Sequence, residues 1–145
     1  MKRYTLLLLV LTYTITFGGQ ASDSDKIIGV WKSPDNSYMI KIDKIGNHFQ
    51  GRIVWLSSND QNQMKLDVNN PNQQLRNLPL KGNKIIEELS YSTGESLWNG
   101  GTFYSYTEGK VYHCQISMQS SNQIRILKYI RNQQEGKEET WTRQQ

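Results

Sequence analysis

The sequence predicts an all-β fold: a single antiparallel up-and-down β-barrel of about eight strands with one long loop. Three observations predict it. Apolar residues recur at every second position along most of the chain, the period of a strand with one buried face. Short clusters of Gly, Asn, Asp, Ser and Pro separate the runs, so sequence neighbours pair as a meander. The meander opens on Gly29-x-Trp31 and finishes on Trp141-x-Arg143. An open meander leaves unpaired backbone groups on its first and last strands, and closure removes both edges.

Each element follows from that pattern. Ile27–Lys32 reads as a first strand, ended by the turn Ser33-Pro34-Asp35-Asn36. Tyr38–Asp43 alternates, with Tyr38, Ile40 and Ile42 on the inner face. After Gly46-Asn47, the run His48–Leu56 places Phe49, Gly51, Ile53 and Trp55 on one face. Residues 57–83 are rich in Asn and Gln and lack periodicity, a connection long enough to be functional or mobile. Leu75, Leu78 and Leu80 suggest that this loop, with a helical turn in it, packs across the barrel. Strands resume at Lys84–Tyr91, at Glu95–Trp98 and at Thr102–Tyr106, the last two separated by Asn99-Gly100-Gly101. Val111–Met118 and Gln123–Ile130 form a hairpin, and Glu138–Arg143 closes the chain. No helix of useful length is predicted.

The first 21 residues stand apart. Met1-Lys2-Arg3 is a basic start, Leu6–Leu11 an apolar run, and Gly18-Gly19-Gln20-Ala21 a small-residue end. That layout is a secretory signal peptide with cleavage after Ala21, and it implies an exported, periplasmic or secreted protein. A membrane span needs roughly 20 apolar residues, and threonines and a tyrosine interrupt this run. Subtracting 21 residues from 145 leaves 124 for a single β-barrel domain, 22–145. The formal charge falls from +4 to +2, because Lys2 and Arg3 go and no acid does. The remaining basic residues are scattered without a run of four, which argues against a nucleic-acid partner.

Three residues carry the closure. With the terminal strands side by side, Arg143 can lie over the Trp31 indole, and Gly29 leaves room for it. The lone Cys114 alternates with Tyr112, Ile116 and Met118, so it reads as a small buried hydrophobe with no disulfide partner.

Beyond those three residues, a longer set of motifs runs from Ile28 to Arg143. G-V-W-K, G-R-I-V-W-L, D-V-N-N-P, L-R-N-L-P-L-K-G, W-N-G-G-T-F-Y, G-K-V-Y and W-T-R occur in that order. Together they resemble the exported bacterial family called domain of unknown function 2147, and the two ends resemble the calycin signature of lipocalins. The resemblance implies a lipocalin-like barrel, export and no established activity. Ser105-Tyr106 stands where family members tend to carry Asp-Pro, and Leu78 where many carry Arg, so a polar role at either position is in doubt here.

Candidate chemistry is sparse. Trp55, Trp98, Tyr104, Tyr112 and Tyr129 are spread over several strands and are the candidate lining of a site for a small apolar or amphipathic ligand or lipid. The same residues would also serve simply to fill a small barrel. Asp67 and Asn70 are candidate anchors of the long loop, with Arg52 and Arg76 as carboxylate partners of Asp67. His48 and His113 are the only histidines, and His113 and Cys114 point to opposite faces, so no metal site is predicted. No nucleophile elbow or phosphate loop is present, and no catalytic residue or cofactor is assigned. The expectation is a non-enzymatic monomer that binds a small ligand in the cell envelope. The alternatives are a solid-barrel interaction module using loop 57–83 and a hydrolase built on Asp67.

Overall fold

A computed structural model describes residues 22–57 and 64–145. The proposed signal peptide, 1–21, lies outside the described residues, as does the segment 58–63 of the long loop. Eight strands form a closed antiparallel barrel in sequence order: β1 (Gly29–Lys32), β2 (Tyr38–Ile45), β3 (His48–Leu56), β4 (Lys84–Ser92), β5 (Leu97–Ser105), β6 (Lys110–Ser120), β7 (Gln123–Tyr129) and β8 (Lys137–Gln144). Closure is made by β1 against β8, with Trp31 opposite Arg143 and Val30 opposite Gln144. Every strand therefore has two neighbours, and no sheet edge remains.

The first strand begins later than the alternation suggests, because Asp23–Ile27 winds into a 3₁₀ turn. Ser22 caps that turn by accepting from the Ser24 N–H, and Ile27 is buried beneath it. The turn lies at one end of the barrel, the base, where β1 begins and β8 ends. The opposite end, the mouth, carries the β1–β2 turn, the long loop, the β5–β6 turn and the β7–β8 connection.

Three irregularities explain where simple alternation fails. Between β2 and β3 the register steps from Met39 opposite Trp55 to Ile40 opposite Ile53, so Val54 is an extra residue on β3. In β5 the partners jump from Trp98–Ile116 to Gly101–Cys114, which inserts one residue at the Gly100 bulge. What reads as two strand fragments is thus one bent strand. Gly100 has φ 75°, and a Cβ on Gly101 would collide with the Glu87 carbonyl, so both glycines are required. Glu88 on β4 has φ 60°, where the pairing steps from Gly51–Ile86 to Phe49–Leu89.

The interior is filled. Trp31, Trp98, Trp141, Phe49 and Phe103 are all essentially inaccessible, interleaved with isoleucines from most of the strands. Edge-to-face contacts link Phe49 to Trp98 at 6.3 Å and Phe103 to Trp141 at 6.4 Å, arrangements that aromatic quadrupoles favour. An eight-stranded barrel is just wide enough for side chains to fill, and this one is. Cys114 belongs to this core at 1% exposure, and burial pushes its thiol up to about 12.

Candidate functional site

At the base, Arg143 works as a seal. Its guanidinium lies 4.1 Å from the centre of the Trp31 ring. All three of its nitrogens donate to main-chain carbonyls: Nε to Ser121 at 2.8 Å, Nη1 to Ile28 at 2.8 Å and Nη2 to Lys26 at 2.6 Å. A Cβ on Gly29, which has φ 147°, would run into that guanidinium. Two indoles hold the 3₁₀ turn in place, Trp31 Nε1 donating to Ile27 at 2.8 Å and Trp98 Nε1 to Ser24 at 3.1 Å. Trp98 is therefore part of the plug and does not line a ligand pocket.

The five aromatic candidates do not converge. The Val54 bulge turns Trp55 outward, and it is 40% exposed. Tyr104 lies on the face of β5 opposite the buried Phe103 and Ser105, and Tyr129 on the face of β7 opposite Ile126 and Lys128. Tyr129 meets His113 ring to ring at 5.5 Å on the outer wall. Tyr112 shares the inner face with Cys114 but sits at the end of β6, its hydroxyl donating to Glu108 at 3.0 Å.

The long loop is a strap held by Asp67. Its carboxylate is 1% exposed; Oδ1 accepts from the Tyr104 hydroxyl at 2.7 Å, and Oδ2 from Asn70 at 2.7 Å and Asn83 at 3.4 Å. Burial, then the bond to Asp67, raises the Tyr104 phenol well above its ordinary range. Asn69 adds bonds of 3.1 Å to the Tyr106 and Thr107 carbonyls, fixing the strap to the β5–β6 turn. Arg52 and Arg76 are not the partners of Asp67. Arg52 donates to the Gly82 carbonyl at 3.1 Å and Arg76 to the Asn70 carbonyl at 2.7 Å, so both brace the strap through its backbone. Of the three leucines expected to pack, only Leu80 is buried, while Leu75 and Leu78 are exposed. Both oxygens of Asp67 are thus occupied by neutral donors.

Sequence alternation passed over the feature at the mouth. A cleft of about 460 Å³ opens there, framed by the β1–β2 and β5–β6 turns and the facing ends of β7 and β8. On its floor, Lys128 and Glu139 form an ion pair, diagonal across the β7–β8 ladder, with Lys128 9% exposed. The Lys128 ammonium also lies 4.7 Å from the centre of the Phe103 ring. Glu139 Oε2 accepts from Trp141 Nε1 at 3.2 Å, joining the pair to the core. Tyr38 packs edge-on against Trp141 at 5.1 Å and against Tyr106 at 5.3 Å, forming an aromatic wall. Burial, then the negative charge of Glu139, keeps the Tyr38 phenol protonated far beyond its ordinary range. A signal for this site was present: Lys128 is in phase with Ile124 and Ile126, and Glu139 with Trp141, so opposite charges fall on the inner face of adjacent strands.

No group of three or more metal-ligating side chains occurs among the described residues, and no helix there is long and apolar enough to cross a membrane.

The family's sequence profile matches residues 29–143, from the closure glycine to the closure arginine. The chain belongs to the family of uncharacterised proteins conserved in bacteria, DUF2147. Among solved structures it is similar to protein HP1028 from the human pathogen Helicobacter pylori, described as belonging to the lipocalin family. That match has a TM-score of 0.71 at 23% identity and covers 82% of this chain and 83% of the other. The likeness is one of fold: this DUF2147 chain is a lipocalin-like eight-stranded barrel. No curated protein matches it.

Proposed function

We propose that this protein is exported and binds a small amphipathic molecule at the barrel mouth, without catalysing its conversion. The observation that carries this reading is the mouth cleft itself, within the size range of small-molecule sites, with a charged floor and an aromatic wall above a filled core. A lipid threaded down the barrel axis is disfavoured by that core. The basic, then apolar, then small-residue order of residues 1–21 supports export. Native mass spectrometry of the protein from its own host, with intrinsic tryptophan fluorescence as reporter, tests binding; a retained mass or a spectral change is expected. A bare protein, silent across a panel of lipids and small polar metabolites, would remove the binding reading. N-terminal sequencing that starts at Ser22 is the result expected for export, and an intact Met1 confined to the cytoplasmic fraction overturns it.

Exposed Val68, Leu75 and Leu78 on the strap favour a second reading, an interaction module with the strap as contact surface. It predicts that shortening residues 72–77 leaves the barrel folded and abolishes a cross-linked partner.

A further inference from the structure

Within that ligand-binding reading, the hydrogen-bond inventory of the cleft is lopsided. Each of its three carboxylates already accepts from a neighbour, and Glu108 also lies within the electrostatic reach of Lys137 and Lys128. Asp35 Oδ1 accepts from the Ser33 hydroxyl at 2.6 Å and the Ser37 N–H at 3.0 Å, and Oδ2 from the Ser37 hydroxyl at 2.8 Å. Glu108 accepts from Tyr112, and Glu139 uses one oxygen for Lys128 and the other for Trp141. The donors are not satisfied. An ammonium has three N–H groups, and among the described residues Lys128 gives one to Glu139. Lys137, across the ladder from Lys128 on the rim, joins no ion pair among the described residues.

An under-coordinated ammonium in a nearly closed position is costly unless something completes its shell. Water does this in an empty cleft, and an acceptor-rich ligand does it better. We propose that the ligand bears a compact anionic group, a carboxylate or a phosphate, seated on Lys128 with Lys137 as a second contact at the rim. The Phe103 face and the Tyr38–Tyr106 wall take the apolar part of the molecule. Because the barrel below is filled, that part is short, about the size of one ring rather than a long acyl chain.

The test uses benzoate and phenyl phosphate as probes, benzamide as the neutral isostere and benzylamine as the cation, each titrated into the signal-free protein by NMR. Benzoate or phenyl phosphate is expected to bind at least about tenfold tighter than benzamide, the scale of one charge-assisted hydrogen bond. The shifts should centre on Phe103 and the Trp141 indole N–H, and the preferred probe separates a carboxylate from a phosphate ligand. The paired variant Lys128→Met/Glu139→Gln, which leaves no lone buried charge, should lose that preference. Lys137→Gln, on the solvent rim, should weaken it about twofold to threefold and report even if the paired variant unfolds. Equal or tighter binding of benzamide or benzylamine overturns the anionic assignment while the small-ligand reading stands. Failure of every probe also overturns it, and native mass spectrometry then decides the broader reading separately.

Discussion

Three cations lie over aromatic rings among the described residues; besides Lys44 over Phe49, Arg143 covers Trp31 at the base and Lys128 covers Phe103 at the mouth, and these last two are coordinated in opposite ways. The planar guanidinium has each nitrogen bonded to a backbone carbonyl that closes the end of the fold. The ammonium has a single carboxylate partner and faces a cleft. Backbone coordination at every nitrogen is the mark of a structural fastener. Partial coordination at an opening leaves directional capacity for something else to use. One barrel thus carries the same kind of cation–aromatic contact at both ends, tied to backbone at the base and paired to a single carboxylate at the mouth.

Three variants test how far that contrast extends. The largest stability effect is expected at the base. Arg143→Ala removes the ring contact and three carbonyl ties together and should cost about 3 kcal/mol, read as a lowered urea midpoint at unchanged m. A loss below about 1 kcal/mol would erase the distinction between the two ends. At the strap beside the mouth, Asp67→Ala leaves three donors without their acceptor and should cost about 2 kcal/mol. Hydrogen exchange should then rise across residues 65–83 while β7 and β8 stay protected; uniform loss of protection would mean that the strap is part of the barrel's cooperative unit. The smallest effect belongs to the mouth pair. Lys128→Met/Glu139→Gln should change stability by less than about 1 kcal/mol, because replacing a whole buried pair is often close to neutral. A loss comparable to that of Arg143→Ala would make Lys128 a fastener too.

Alternation made much of the barrel legible before any coordinates. Ile40 and Ile42, Ile124 and Ile126, and Cys114 and Ile116 all sit inside, in phase along their strands. The same rule misplaced Trp55, because one inserted residue, Val54, reverses the face of everything after it. Tyr104 and Tyr129 were open to a better reading from the same rule, since each is one residue out of phase with a buried neighbour. For Asp67, residue types pointed to an anchoring role but chose the wrong partners. Which donor reaches a loop carboxylate depends on how the loop lies over the wall, and that is a non-local matter.

Local chemistry along the chain was sufficient for the strand count to within one, most of the turns, the facing of most core residues and the pairing of Gly29 and Trp31 with Arg143. Period-two patterning and turn residues act over a few positions, and closure follows from the need to satisfy two sheet edges. Three-dimensional packing was needed to show that the interior is filled, that the strap is held by tyrosine and asparagine, and that the charged cleft lies at the mouth. Those features depend on bulges and on diagonal contacts between strands, where side chains distant along the chain are brought within a few ångströms by register rather than by spacing.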